Sequence, residues 1–111
     1  MAGISTHVLD TAAGVPAAGV PVTLEVARAS GWERVGAGVT DEDGRVVDLL
    51  VEGAVVGTYR IVFDTGAYFT ARGEPGFYPE VSVVFEVKEA HAHHHVPLLL
   101  SPFGYSTYRG S

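Results

Sequence analysis

Short runs rich in Val, Tyr and Thr recur along this chain, each cut off by Gly, Pro or Asp before it grows long enough for a sizeable helix. That rhythm constrains the fold more than any other feature. Such residues fit a pleated, half-buried surface, and frequent turn signals separate one strand from the next. The runs predict strands at Ile4–Asp10, Val20–Arg28, Trp32–Val39, Gly44–Asp48, Gly57–Asp64, Val81–Val87, His93–Leu100 and Gly104–Arg109. That is the count of an all-β sandwich of eight strands. Residues 14–19, Gly-Val-Pro-Ala-Ala-Gly, read as a loop and Thr40-Asp41-Glu42-Asp43-Gly44 as a turn. One stretch departs from the β pattern. Asp64 to Gly73 has a capping residue in front, Arg72 near its end and Gly73 to stop it, which predicts a helix of about two turns.

Side-chain parity gives each strand two faces. In the first, Ile4, Thr6 and Val8 share one face while Ser5, His7 and Leu9 share the other. In the seventh, Val96, Leu98 and Leu100 oppose His95, Pro97 and Leu99. A sandwich needs only one apolar face per sheet. A second face carrying Leu9, Pro97 and Leu99 beside histidines therefore points to a subunit contact or a lined channel. If Pro102 and Phe103 form the tip of the last hairpin, Ser106 and Tyr108 join that same face and Gly110 lies opposite His95.

The 111 residues, 47% hydrophobic and 18% charged, predict a single folded domain over 1–111 with one core. A chain this small walls off a deep pocket most easily between subunits. The net charge of −6, and the lack of any basic stripe, exclude nucleic acid as an expected partner. No segment approaches the ~20 apolar residues that span a bilayer. The start, from Met1 to Asp10, shows no basic n-region or long apolar stretch, so we expect no signal peptide, no membrane association and a cytoplasmic protein. With no cysteine, disulfides and thiolate chemistry are unavailable, and any metal would need His or carboxylate ligands.

The candidate chemistry lies near the two ends. Termini are usually frayed and polar unless tied down, so a run of Tyr, Ser, Thr and Arg from Gly104 to Ser111 reads as a working part. His7 stands between Thr6 and Val8 where few polar residues are expected. His91, His93 and His95 alternate and would share a face on a continuous strand, a geometry that suits an imidazole-binding metal. Against that, His91, His93 and His94 read as a surface turn after Glu89, while His95 leads directly into the apolar Val96-Pro97-Leu98 run. Arg45, just after Gly44, is either a surface charge or a fork for an anionic or carbonyl-rich ligand. Asp41-Glu42-Asp43-Gly44 fails as a calcium loop, because Arg45 stands where an oxygen ligand is needed. Neither a nucleophile elbow nor a phosphate-cradling loop is present.

Taken in order, Ser5-Thr6-His7-Val8-Leu9-Asp10-Thr11, Thr40-Asp41-Glu42-Asp43-Gly44-Arg45, Phe77-Tyr78-Pro79-Glu80-Val81 and His95-Val96-Pro97-Leu98-Leu99-Leu100-Ser101-Pro102, running into Tyr108-Arg109-Gly110-Ser111, resemble the 5-hydroxyisourate hydrolases, the enzymatic branch of the transthyretin family. The likeness covers the whole chain. Its most specific part is the Tyr-Arg-Gly-Ser ending with upstream His-Val-Pro, which the hormone-carrying transthyretins lack. The resemblance implies an eight-stranded transthyretin-like sandwich with one short helix, assembled as a homotetramer around a channel. It also implies opening of the 5-hydroxyisourate ring in purine and urate degradation by hydrolysis of a cyclic amide, giving 2-oxo-4-hydroxy-4-carboxy-5-ureidoimidazoline without cofactor or metal. It puts His7, Arg45 and His95 in the catalytic site, with Tyr108, Arg109, Gly110 and Ser111 joining His7 and Arg45 in holding substrate. The family commonly has Tyr where His94 stands and Thr where Ser5 stands, and neither position is given a part in the chemistry. Two other readings compete. A ligand-binding protein of the transthyretin type would use the same channel without turnover. A structural sandwich of the adhesin kind would account for Gly19 to Arg60 but not for the last part of the chain.

Overall fold

A computed structural model describes residues 3–50 and 54–111 and contains two sheets and one helix. Met1 and Ala2, which belong to the stretch read against a signal peptide, lie outside the described residues. In chain order the elements are β1 (Ile4–Asp10), β2 (Val15–Pro16), β3 (Pro21–Arg28), β4 (Gly31–Val39), β5 (Arg45–Leu50), β6 (Gly57–Phe63), α1 (Thr65–Ala71), β7 (Val81–Val87), β8 (His94–Ser101) and β9 (Gly104–Thr107). One sheet runs β2-β1-β8-β9, with β5 sharing the β2 edge of β1; the other runs β4-β3-β6-β7. All the pairings are antiparallel except β1 with β8, which is parallel.

The expected sandwich is therefore present, with two corrections. Val15–Pro16, read as loop, is a two-residue strand against Leu9 and Asp10. Its tight return is closed by Gly14 N–H on the Asp10 carbonyl and Ala13 N–H on the Asp10 carboxylate. The last strand stops at Thr107 instead of Arg109. Pro97 causes the stop: it has no N–H to give on the β9 side, so the ladder ends at Leu98 opposite Thr107. The Thr107 hydroxyl takes the Pro97 carbonyl instead, at 2.6 Å.

Parity built the core as predicted. Ile4, Thr6 and Val8 from β1 and Val96, Leu98 and Leu100 from β8 face Val22, Leu24 and Val26 from β3 and Tyr59, Ile61 and Phe63 from β6, all buried. Thr6 is tolerated there because its hydroxyl donates to the Val96 carbonyl at 2.6 Å. Asp64 caps α1 by accepting from Ala67 N–H at 3.0 Å. The helix is fastened to β1 by Tyr68, whose hydroxyl donates to the buried Asp10 carboxylate at 2.7 Å. Burial first, and then the Asp10 partner, push the Tyr68 phenol up to about 12. No helix among the described residues is long and apolar enough to cross a membrane.

Candidate active site

The 41–44 turn sets one edge of the site. The Asp41 carboxylate accepts the N–H groups of Asp43 at 2.9 Å and Arg45 at 3.0 Å, an Asx turn that needs the left-handed conformation Gly44 adopts at φ +76°. A Cβ at Gly44 would collide with the Val8 carbonyl, so only glycine fits. Two consequences follow for His7. Its Nε2 lies 2.8 Å from the Asp43 carbonyl, and β5 begins with Arg45 directly opposite it. A carbonyl only accepts, so Nε2 carries the proton and neutral His7 keeps its lone pair on Nδ1.

The parallel pairing of β1 with β8 sets the other edge. Ser5 is the register partner of His95, and Pro97 is that of His7. The Ser5 Oγ lies 2.8 Å from His95 Nδ1 and 2.8 Å from His93 Nε2, so one buried hydroxyl joins two imidazoles. His95 Nε2 has no hydrogen-bond partner among the described residues and is not buried, which leaves that edge of the ring open. The His7 and His95 rings are 6.5 Å apart between centroids. Burial, reinforced by the charges of His7, Arg45 and His93, holds His95 below the usual imidazole range. Burial therefore favours its neutral form.

The tail then returns to this patch. Past the Pro97 interruption, Gly110 bridges to His95 in the register that β9 began, donating its N–H to the His95 carbonyl at 2.9 Å. Gly110 sits flat against the imidazole. A Cβ there would come within 2.5 Å of His95 Cδ2. Ser111 shares a shallow cleft with Ser5, Arg45, His93 and His95, and Arg45 reaches from it into a second recess beside His7, Leu9 and Asp43. Tyr108 and Arg109 take a different course, lining an adjoining apolar groove with Val83, Val84, Phe85 and His95.

Of the residues singled out in the sequence, His7, Arg45, His95, Gly110 and Ser111 thus converge, while Tyr108 and Arg109 lie next door. The histidine cluster needs correction. His94 is not a surface residue: parity turns it to the inner face, where it is buried and its Nδ1 lies 3.0 Å from the Ala92 carbonyl. His91 is exposed, and His93 is exposed but engaged with Ser5. The strand begins only at His94, so the three alternating histidines do not share one face of it, and among the described residues no group of three or more His, Asp or Glu is placed to hold a metal ion. Ser5 was missed altogether. It shares a face with His7 in the sequence, but its partner is 90 residues away, and only the β1–β8 register brings the two together.

Comparison with known proteins agrees with the sequence resemblance. A profile described as the HIUase/Transthyretin family matches residues 4–110. The chain is 48% identical over 109 residues to a 5-hydroxyisourate hydrolase of Salmonella dublin, covering 97% of this chain and 80% of that protein. The structure of the 5-hydroxyisourate hydrolase from Klebsiella pneumoniae superposes with a TM-score of 0.87 at 34% identity, covering 97% of this chain and 98% of that one. A transthyretin from Sparus aurata superposes with a TM-score of 0.91 at 36% identity, covering 99% and 97%.

Proposed function

This chain belongs to the HIUase/Transthyretin family, and we propose that it hydrolyses the cyclic amide bond of 5-hydroxyisourate with His7, Arg45 and His95 as the working groups. Fold alone does not choose between hydrolase and carrier, since both superpose closely. The observation that carries the reading is the convergence of Arg45, His7 and His95 on neighbouring strands β5, β1 and β8, with Gly110 against the last of them.

Each group has a task its environment suits. His95, neutral and open at Nε2, takes a proton from water as the oxygen attacks the amide carbonyl. Arg45 donates to the carbonyl oxygen as charge develops on it. The C–N bond then breaks, and the proton held by His95 passes to the leaving nitrogen, so the amide ring opens to a carboxylic acid that loses its proton to solvent, with an N–H restored and the imidazoline ring intact. His7, fixed by Asp43, presents its Nδ1 lone pair to order water or substrate. Gly110 and Ser111 position His95 and close the cleft, and Tyr108 and Arg109 extend substrate contacts from the adjoining groove.

The same outer face supports a homotetramer as the working form. Leu9 and Leu99 are half-buried, and Val47 is exposed beside Arg45. A second copy laid over this face would cover them and enclose clefts that are shallow in one protomer. In the test, urate oxidase generates 5-hydroxyisourate and its absorbance decay is followed with and without this protein. Faster decay with no added cofactor supports the proposal. Decay at the spontaneous rate, with ligand retained, would favour the carrier reading.

A further inference from the structure

His95 cannot act as a base at Nε2 unless its proton sits on Nδ1, and among the described residues one side chain, that of Ser5, touches that atom. We propose that Ser5 is a positioning residue that holds His95 in the Nδ1–H form and couples it to His93. The inference rests on the hydrolase reading above.

Ser5 Oγ has a single proton and lies 2.8 Å from each of two imidazole nitrogens. With one donor to give, it donates to one ring and accepts from the other, so the two rings have opposite roles. In one arrangement His95 Nδ1–H donates to Ser5, and Ser5 donates to His93 Nε2. His95 Nε2 then carries a lone pair and is a base. In the other, His93 Nε2–H donates to Ser5, Ser5 donates to His95 Nδ1, and Nε2 carries the proton. His95 is then unable to accept one.

Neutral His93 permits the first, in which the imidazolium formed during catalysis keeps its bond to Ser5 unchanged. Exposed His93 is thus linked to half-buried His95 through a buried hydroxyl. The other charged or titratable groups facing His95 are His7 on β1 and Arg45 on β5, with Glu86, Tyr108 and Arg109 lining the adjoining groove. Neither His7 nor Arg45 bonds to Nδ1.

The tautomer is readable without substrate. In two-bond ¹H–¹⁵N spectra of the intact protein at pH 8, His95 is expected as the Nδ1–H form. In Ser5→Ala it should move toward the Nε2–H form. Turnover in Ser5→Ala should fall by roughly 10-fold to 100-fold, the range for losing a group that orients a functional ring, with KM little changed. Ser5→Thr should restore both the tautomer and the rate. A wild-type His95 found in the Nε2–H form, or a Ser5→Ala protein with unchanged tautomer and turnover, overturns the assignment. Spectra as expected from a protein that does not hydrolyse 5-hydroxyisourate would leave the Ser5–His95 link standing and remove the hydrolase reading.

Discussion

Gly110 donates its backbone N–H to the His95 carbonyl at 2.9 Å while its missing side chain leaves room for the His95 ring. The tail therefore buttresses the ring through backbone atoms alone. Gly110→Ala should push the imidazole out of place and lower turnover by about 10²-fold, the cost of misplacing a reacting group by ~1 Å. Thermal unfolding should be nearly unchanged, because residues 108–111 contribute nothing to the core cluster. Normal turnover in Gly110→Ala would show that the contact is incidental.

The acid limb of activity should lie below the ordinary histidine value of ~6.5. His95 is held low in the folded protein, so it stays neutral, and able to accept a proton, until the pH falls through that lowered value. The linkage has the same sign: the folded chain resists protonation more than the unfolded one. This contribution to stability is complete above the unfolded value and is lost as pH falls through the folded one. A kcat/KM profile between pH 5 and pH 9, and melting temperatures over the same range, check both statements.

Tyr68→Phe separates fold from chemistry. It removes the hydroxyl from the buried Asp10 carboxylate and should cost about 1–3 kcal/mol of stability. The site lies elsewhere, so turnover at temperatures well below unfolding should match wild type. Denaturant titration beside an activity assay measures the two effects.

Leu99→Glu tests the proposed assembly. It places a charge on the outer face between Leu9 and Ser106, their register neighbours across the sheet. Sedimentation should show a tetramer for wild type and smaller species for the variant, with activity falling in step. A fully active wild-type monomer would contradict the shared-site reading.

Much of this arrangement was legible in the sequence because strand parity depends only on local spacing. That spacing put His7 and His95 on outer faces, and the Pro102–Phe103 tip set a register that carries through to Gly110. What escaped depended on contacts distant in sequence. Ser5 gains its meaning from the parallel pairing with His95, and no local pattern reveals which strands lie side by side. The end of β9 was overrun because Pro97, on the partner strand, decides where its ladder stops. His94 was misread because a run of histidines looks polar, although alternation alone assigns it to the inner face with Val96. The short β2 went unseen because Gly14 beside it and Pro16 within it mask a pairing of two residues.

The central claim is that His95 accepts the proton of the attacking water. Its most direct test is the decay of freshly generated 5-hydroxyisourate, followed side by side with wild-type protein and with His95→Ala under identical conditions. The account predicts acceleration by wild type and a loss of roughly 10²-fold or more in the variant, the range for removing a positioned base. His95→Ala turning over as fast as wild type would contradict it.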